Sequence, residues 1–431
     1  MQIKFIKRKV FLAFIILLNL IPGILAAQQI NTDTLRLSLP EAEKIFLQKN
    51  LVLLAAKYNI DANQALIQQA KLWDNPVLNT DQNIYDGKFF RHNSDNGQVY
   101  IQVMQLIKTA GKRIKLAQLA TDNTTLAKEQ FDDVMRSLRY TLRNNLLEIN
   151  HQLKLKKVYD GEIAELQHLI TGMDAELKAG NVALKDNMRL KALLFNLQNE
   201  LVNIESSVMP LESELKLLLQ STDSSFIAPQ LYYQFGQLTT AEIPPTDSLI
   251  KAAMANRPDA KIAQTALDFQ NHNLIYQKAL AKPDINIGTE FDQRSSYAPN
   301  YFGFAVSVPL NIFNKNQGNI KSAQYTIKQQ EVQKDFENSK LVNEVNNAVV
   351  KFNYFKQVNN LQQLDFSKKY DELFGNMVKS YQARQISLLE LIDFIDAYKD
   401  TKLKLVEQHN SLIKSIEDIN YTTNTTVISI Q

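Results

Sequence analysis

Two long stretches without proline restrict this chain more than any other feature of its sequence. One lies between Pro76 and Pro210, and the other runs from Pro309 to the end of the chain. Within them, Ala110–Leu177 and Gln317–Gln382 carry apolar residues at steps of three, four or seven, the spacing of helices in coiled coils. A continuous helix over the first would be about 100 Å long at about 1.5 Å per residue. Coiled coils and spacers need helices of that length, whereas compact domains do not.

Each of these helical stretches is followed by a short break and then by a second helical stretch. Lys178–Val182 interrupts the first, and helical spacing returns over Leu184–Gln220. Ala383–Ile386 interrupts the second, and helical spacing returns over Ser387–Tyr421. The sequence therefore predicts two long helical hairpins.

Two predicted strands precede each hairpin. The alternation of side chains is clearest in the last strand, where one face carries Phe302, Phe304, Val306 and Val308. The strands of each pair are joined by a polar loop, and a polar corner leads from each pair into its hairpin. The predicted strands are Pro76–Tyr85, Gln98–Ile107, Pro283–Asp292 and Tyr301–Pro309, and the loops are Asp86–Asn96 and Gln293–Asn300.

A further helical segment precedes each pair of strands. In Leu37–Leu72, Ser38 is the expected N-cap of a capping box with Glu41, and a break is expected near Asn50. The corresponding segment of the second half is Asp247–Ala281. The order helix, strand, strand, hairpin thus occurs twice.

The second half repeats the first in one register. Pro76 corresponds to Pro283 and Ile114 to Ile320 at a nearly constant offset, which chance matches would not maintain. The connector between the halves is rich in Ser, Thr, Pro and Tyr. The predicted organisation is a signal peptide at 1–27, a first repeat at 28–220, a connector at 221–245 and a second repeat at 246–431.

The first residues have the pattern of a secretory signal. A basic segment with Lys4, Lys7, Arg8 and Lys9 precedes the apolar run Val10–Ile21, and small residues follow it. The alternative is an uncleaved membrane anchor, although the run is short for spanning a bilayer. Removing the signal takes away four positive charges, so the formal charge of +3 becomes about −1. The electrostatics therefore do not support binding to nucleic acid.

Composition also limits the chemistry of the chain. It has no cysteine, which excludes disulfides, thiol catalysis, cysteine metal sites and a lipid on an N-terminal cysteine. No mature segment is apolar and long enough for a membrane-spanning helix, so entry into a membrane would have to use strands. Four strands cannot close a barrel, so several chains would have to pool them. The alternative is a small soluble sheet that caps a helical stalk.

Four segments resemble the TolC-type outer-membrane efflux proteins, and the resemblance covers essentially the whole mature chain. They are LSLPEAEKIFLQKN at 37–50, QAKLWDNPVL at 69–78, QLIKTAGKR at 105–113 and VPLNIFNKNQGNI at 308–320. The last two resemble the branch that serves heavy-metal pumps of the cobalt–zinc–cadmium type. That branch has a proline-leucine strand end followed by an Asn-Gln-Gly-Asn-Ile corner.

The resemblance implies a mostly helical fold with a small membrane β part. The duplicated hairpins would form an α-barrel tunnel across the periplasm, and each chain would add four strands to a trimeric β-barrel. It also implies an outer-membrane location in a Gram-negative bacterium. The lack of a cysteine separates this chain from family members that carry an N-terminal lipid anchor.

The implied function is a passive exit duct. The duct would dock on a periplasmic adaptor and a proton-driven inner-membrane pump of the RND type, with divalent heavy-metal cations as cargo. The same duct could instead serve multidrug efflux or type I protein secretion. An alternative of another class is a periplasmic coiled-coil scaffold without a pore.

A duct needs a gate, and the resemblance places acidic residues after the second hairpin tip at the tunnel constriction. By motif these are Glu390 and Asp393, with Asp186 in the equivalent place on the first hairpin. In a trimer, each position would give three carboxylates around one axis, which would raise one another's pKa and attract cations. The alternative is that they are ordinary solvated helix residues.

The hairpin tips are the expected contacts with the adaptor. Their apolar members would be exposed on an isolated hairpin, which suggests a partner, although packing between the two hairpins is an alternative. The predicted contact residues are Gly180, Asn181, Val182, Leu184, Gln385, Ile386, Ser387 and Leu388.

No catalytic, cofactor-binding or resident metal site is predicted. The histidines are scattered without helical pairing, and no catalytic triad context, phosphate loop or zinc-binding motif is present. Metal would therefore be cargo rather than cofactor. The single Trp73 could be an interfacial anchor, or it could simply pack. The histidines are His92, His151, His168, His272 and His409.

Overall fold

A computed structural model describes residues 34–85, 87–91, 97–359 and 361–430. The predicted signal peptide and His92 lie outside the described residues, as does much of the predicted loop Asp86–Asn96. The strands are β1 (Thr34–Ser38), β2 (Val77–Gln82), β3 (Val99–Ile107), β4 (Phe226–Gln230), β5 (Ile285–Arg294) and β6 (Pro299–Ser307). The helices are α1 (Leu39–Lys49), α2 (Leu51–Lys71), α3 (Lys112–Lys178), α4 (Leu184–Leu219), α5 (Phe235–Thr240), α6 (Thr246–Asn256), α7 (Pro258–Leu280), α8 (Gln317–Val358), α9 (Leu361–Gln382) and α10 (Leu388–Thr423).

The four predicted strands form one antiparallel sheet in the order β2-β3-β5-β6. The sheet therefore joins the two repeats through the pairing of β3 with β5, in which Ile107 lies opposite Ile285. Gly288 lies in β5 where a Cβ atom would meet the carbonyl oxygen of Val103 at 2.1 Å. Only glycine allows the two strands to approach this closely.

The two faces of the sheet differ in chemistry. Phe302 and Phe304 on one face are 73% and 70% exposed, as the predicted alternation requires. On the other face the Tyr100 hydroxyl donates to Glu290 Oε2 over 2.9 Å, and Gln102 Nε2 donates to the same oxygen over 3.1 Å. The sheet thus presents an apolar face to the outside of the chain and a hydrogen-bonded polar face on its other side.

The long helices form the rest of the molecule. The α3 helix packs against α2, α4, α7 and α10, so it is the central helix of the bundle. A large apolar core surrounds its middle, with Phe46, Leu142 and Phe352 completely buried. A second core lies towards the hairpin ends and includes Leu166, Leu190 and Leu391. No helix among the described residues is both long and apolar enough to cross a membrane.

The predicted capping box at Ser38 is confirmed, with the Ser38 amide donating to Glu41 Oε2 over 2.9 Å. The break near Asn50 is also confirmed. The Asn50 side chain accepts the amide hydrogens of Val52 and Leu53, which caps α2.

Two segments differ from the sequence-based expectation. The helical stretch Gln317–Gln382 is divided into α8 and α9. Asn359 ends α8, where its buried Nδ2 donates to the carbonyl oxygens of Phe355 and Gln408 over 2.8 and 3.1 Å.

The predicted connector 221–245 contains β4 and α5, and β4 pairs in parallel with β1. It is therefore an ordered part of the fold.

Candidate functional site

The two hairpin ends lie side by side. The first turn uses Gly180 at a φ of 78°, and the second uses Arg384 at a φ of 58°. An arginine–glutamate pair joins them, with Arg384 Nη2 3.2 Å from Glu176 Oε2. The Tyr381 hydroxyl also lies 3.5 Å from Met173 Sδ across the same junction. The hairpin ends therefore contact each other within one chain.

A groove with a volume of about 680 Å³ lies beside these contacts and is lined by residues of both ends. Its lining combines charged, aromatic and apolar side chains from both hairpins. Asp186 is half-buried in the first turn of α4 and lies in this lining with Tyr381. Burial raises the pKa of Tyr381, and the negative charge of Asp186 raises it further. The structure thus directs Asp186 towards the other hairpin.

Glu390 is held by the start of its own helix. The Ser387 amide donates to Glu390 Oε2 over 2.7 Å, and the Ser387 hydroxyl donates to the same oxygen over 2.8 Å. The hydrogen bond from the Ser387 amide, followed by that from its side chain, lowers the pKa of Glu390. Glu390 is therefore an ionised capping residue.

Asp393 lies three residues further along α10 than Glu390. Both side chains are exposed in the single chain. No three Asp, Glu or His side chains within the described residues are arranged to hold a metal ion. The three predicted gate carboxylates therefore do not form one site within a single chain.

The predicted tip residues fall into two groups. Val182, Ile386 and Leu388 are half-buried against the apolar core of the hairpin ends. These three residues therefore agree with the alternative interpretation of the sequence, in which the two hairpins pack against each other. Leu184 is different, because 62% of it is exposed. The remaining tip residues, Gly180, Asn181, Gln385 and Ser387, are exposed.

A buried glutamate behind the tips was missed by the sequence analysis. Glu162 on α3 is only 2% exposed, and neither carboxyl oxygen has a hydrogen-bond partner within the described residues. Burial raises its pKa to about 8, an effect that Lys399 opposes and the charge of Glu200 strengthens. A signal was present in the sequence, since Glu162 lies between Tyr159 and Leu166 at the steps of three and four that mark a buried seam.

The partners around Glu162 come from three helices. The Tyr159 hydroxyl donates to Glu200 Oε2 over 3.1 Å, and Lys399 Nζ lies 3.1 Å from the same oxygen. Asp396 and Asp400 on α10 add negative charge that raises the pKa of Glu162. Glu200 is on α4, so this cluster links the first hairpin to the helix that carries Asp393.

Aromatic packing holds α10 against α9. The rings of Phe374 and Tyr398 stack with centroids 4.3 Å apart, and the Tyr398 hydroxyl donates to Asp371 over 2.7 Å. Lys402 Nζ also lies 2.7 Å from an oxygen of Asp371. The helix that carries Glu390 and Asp393 is therefore held by contacts on two of its sides.

The described histidines have separate environments. His168 lines the groove, while His272 Nδ1 lies 2.7 Å from Asp122 on α3. His409 packs on Phe235 with ring centroids 3.9 Å apart, and burial lowers its pKa to about 4. Burial also lowers the pKa of His151.

Comparisons with known proteins agree with this architecture. Residues 249–419 match the family described as outer membrane efflux protein. The cobalt-zinc-cadmium resistance protein CzcC of Cupriavidus metallidurans is 21% identical over 287 residues. That alignment covers 67% of this chain and 66% of the relative, just under two thirds of the relative's length.

Solved structures share the fold over most of the chain. The structure of CusC superposes with a TM-score of 0.71 at 16% identity, covering 89% of this chain and 91% of CusC. The Campylobacter jejuni CmeC outer membrane channel gives a TM-score of 0.71 at 12% identity, covering 90% of this chain and 86% of CmeC.

The fold over most of the chain is therefore that of the TolC-type outer-membrane efflux proteins, a class of channels and not of enzymes. Residues 249–419 of the chain match the outer membrane efflux protein domain, and the sequence is similar to a cobalt-zinc-cadmium resistance protein. The class predicted from the sequence, its outer-membrane location and its helical periplasmic part are thereby confirmed.

Proposed function

We propose that this chain forms the outer-membrane exit duct of a tripartite RND-type efflux pump. The observation that carries the proposal is the combination of an apolar-faced sheet with helices far longer than a compact domain needs. An apolar face of exposed residues such as Phe302 and Phe304 suits strands in contact with lipid. Helices of this length suit a tunnel that spans the periplasm.

The duct is proposed to be a homotrimer. The α4 helix supports this, because it carries exposed apolar side chains at regular steps of seven residues. Met188, Phe195, Val202 and Met209 are 54%, 65%, 56% and 67% exposed. A seam of this period is the pattern by which one long helix packs on another. A second copy of the chain would cover the seam.

Divalent heavy-metal cations are the proposed cargo. The support comes from the similarity to a cobalt-zinc-cadmium resistance protein and from the corner at residues 308–320. Multidrug efflux and type I protein secretion remain alternative uses of such a duct. Cells lacking the protein should become more sensitive to cobalt, zinc and cadmium salts. If they become sensitive only to organic drugs, or fail only in secreting a protein, the metal assignment is wrong.

Asp393 is proposed to form the acidic ring of the gate, with Glu390 and Asp186 contributing to the constriction. Trimer symmetry would bring three copies of each carboxylate around the tunnel axis. The exposed Leu184 and the polar tip residues are the proposed contacts with a periplasmic adaptor. The half-buried Val182, Ile386 and Leu388 would shape that surface from beneath.

Conductance of the purified protein in a planar bilayer tests the duct. A cation-preferring pore that loses part of its selectivity in Asp393→Asn supports both the duct and its gate. A folded, soluble oligomer that forms no pore would favour the alternative of a periplasmic coiled-coil scaffold. A pore that Asp393→Asn leaves unaltered would retain the duct and remove Asp393 from the gate.

A further inference from the structure

Each of the four sheet strands, β2, β3, β5 and β6, is connected to a helix at one of its two ends. These four helix-connected ends lie at the same end of the sheet. In the β3–β5 pair Ile107 lies opposite Ile285, and in the β5–β6 pair Asn286 lies opposite Ser307. In the β2–β3 pair Val77 lies opposite Met104. The connecting segments therefore gather around one level of the molecule. We define the junction belt as residues 71–76, 108–115, 278–284 and 308–321.

The junction belt is strongly positive. It contains nine basic and two acidic residues, an excess of seven positive charges, whereas the whole chain has a formal charge of +3. The acidic residues are Asp74 and Asp284. The basic residues are Lys71, Lys108, Lys112, Arg113, Lys115, Lys278, Lys282, Lys315 and Lys321.

The two acidic residues are already used within the belt. Lys108 Nζ lies 3.0 Å from Asp74, and the buried Lys112 Nζ lies 2.7 Å from Asp284. The other seven basic side chains have no carboxylate within 4.0 Å among the described residues. Their charge is therefore available to a partner outside the chain.

The same belt exposes large apolar side chains. Phe313, Leu310 and Ile312 are 92%, 79% and 61% exposed. Trp73 is 61% exposed, and the Arg113 guanidinium lies 3.8 Å from the centre of its ring. Along β6 this surface continues directly into the apolar face of the sheet. A partner must therefore suit both unpaired cations and exposed hydrocarbon.

We propose that the junction belt binds the headgroups of anionic phospholipids in the membrane leaflet that faces the helices. The proposal rests on the proposed insertion of the sheet into the outer membrane. Where the apolar sheet face ends, the lipid headgroups begin, and this is the level at which the belt lies. Anionic headgroups complement the unpaired cations, while Trp73 and Phe313 suit the boundary between headgroups and acyl chains.

The main rival partner is an acidic polymer such as peptidoglycan. Its carboxylates would complement the lysines, but a hydrated polysaccharide gives no reason for Leu310, Ile312 and Phe313 to be exposed together. The apolar component of the belt therefore favours lipid. The two partners are separated by experiment, because their binding is measured in different assays.

The single tryptophan of the chain lies in the belt and supplies the probe. The purified protein is reconstituted in bilayers of phosphatidylcholine containing brominated phosphatidylglycerol or brominated phosphatidylcholine. Bromine quenches Trp73 fluorescence when the labelled lipid is in contact. The relative quenching gives the preference for the anionic lipid, which is expected to be about fivefold or more for one effective headgroup contact. The preference should fall as ionic strength rises.

The belt variant removes four exposed lysines through Lys71→Gln, Lys278→Gln, Lys282→Gln and Lys315→Gln. The matched control removes four exposed lysines from the hairpins through Lys185→Gln, Lys368→Gln, Lys379→Gln and Lys404→Gln. A third variant replaces the four belt lysines with arginine and so retains their charge. The anionic preference should disappear in the first variant and persist in the other two.

Several outcomes would overturn the belt assignment. The first is equal quenching of the wild type by both brominated lipids. The second is an anionic preference that persists in the variant with four belt glutamines. The third is an anionic preference that the hairpin control loses to the same extent as the belt variant. Loss of co-sedimentation with peptidoglycan sacculi in the belt variant, with no lipid preference in the wild type, would assign the surface to the cell wall. A wild type that forms pores without lipid preference rejects the belt alone. A wild type that does not insert into bilayers rejects the proposed duct.

Discussion

Ser387 and Glu390 cap each other at the start of α10. The Ser387 amide donates to Glu390 Oε2 over 2.7 Å, and the Glu390 amide donates to Ser387 Oγ over 3.3 Å. Sequence reasoning assigned Glu390 to the gate, and the structure shows that the residue also stabilises the helix that would carry the gate. The two roles can be separated by mutation.

Glu390→Gln should retain the cap, because glutamine at this position can also accept from the Ser387 amide. Glu390→Ala should lose the cap, destabilise the start of α10 and lower the thermal midpoint. Thermal unfolding and cation selectivity should be measured for both variants. If both variants change cation selectivity, the charge of Glu390 belongs to the gate. If only Glu390→Ala changes it, the effect comes from loss of the cap. If the thermal midpoints of the two variants are equal, the capping role is wrong.

Glu162 predicts a specific dependence of stability on pH. Its pKa of about 8 in the folded chain lies above the ordinary value of 4.5, so the folded state binds the proton more tightly. The stability it contributes is complete below about pH 4.5 and is lost as the pH rises to about 8. Glu162→Gln resembles the protonated form and should therefore weaken this loss.

At pH 8, Glu162→Gln is expected to raise the free energy of unfolding by on the order of 1–3 kcal/mol. The difference from wild type should shrink towards pH 5. Chemical denaturation between pH 5 and 8.5, monitored by the far-UV circular dichroism signal of the helices, would measure this difference. Glu165→Gln, an exposed change one turn away, is the control and should leave the wild-type pH profile unaltered. Parallel profiles for wild type and Glu162→Gln would contradict the prediction.

Arg257 holds the second repeat together through a buried ion network. It is 2% exposed, its Nη2 lies 2.7 Å from Glu344, and its Nη1 donates to the Thr422 carbonyl oxygen over 3.2 Å. Asp259 also contacts the guanidinium. Arg257→Met should cost about 3 kcal/mol, because it leaves the half-buried carboxylate of Glu344 unpaired and leaves Asp259 with Arg136 alone.

The control for Arg257 is an exposed pair of similar distance. Lys369 Nζ lies 2.7 Å from Asp365, and both side chains are largely exposed. Lys369→Met should leave the denaturant midpoint close to that of the wild type. Denaturant midpoints of the two variants give the comparison. Equal small effects would mean that water or another group replaces the lost arginine.

The exposed seam on α4 predicts the site of subunit contact. Phe195→Asp together with Val202→Asp places two charges on the seam and should dissociate the proposed trimer. Asn196→Asp together with Asn203→Asp places the same two charges on exposed positions about 100° around the helix from the seam, and should leave the trimer intact. Light scattering in detergent measures the mass of each variant. A trimer that survives the double change would place the subunit contact on another face.

Local patterns allowed much of the fold to be predicted. The Ser38 capping box and the Asn50 break depend on neighbours within four residues, so the sequence showed them directly. The break at Asn359 depends on a bond to the Gln408 carbonyl, which is distant in sequence. No local pattern marks such a position, because asparagine is also common inside solvated helices.

The candidate site was predictable in position but not in exposure. The hairpin tips follow from helix breaks, whereas the burial of Ile386 and Leu388 depends on how the hairpins pack. Glu162 shows the same limit. Its seam position was visible, but its lack of a hydrogen bond follows from the arrangement of Glu200 and Lys399 on other helices.

The parallel pairing of β1 with β4 imposes an order on biogenesis. Thr34 lies opposite Phe226, so the two strands are separated by the whole first pair of sheet strands and the first hairpin. A chain that crosses the inner membrane from its N-terminus exposes β1 long before β4 emerges. During that interval an unpaired strand edge is open to incorrect partners. β1 therefore stays without its sheet partner until the first hairpin has been made.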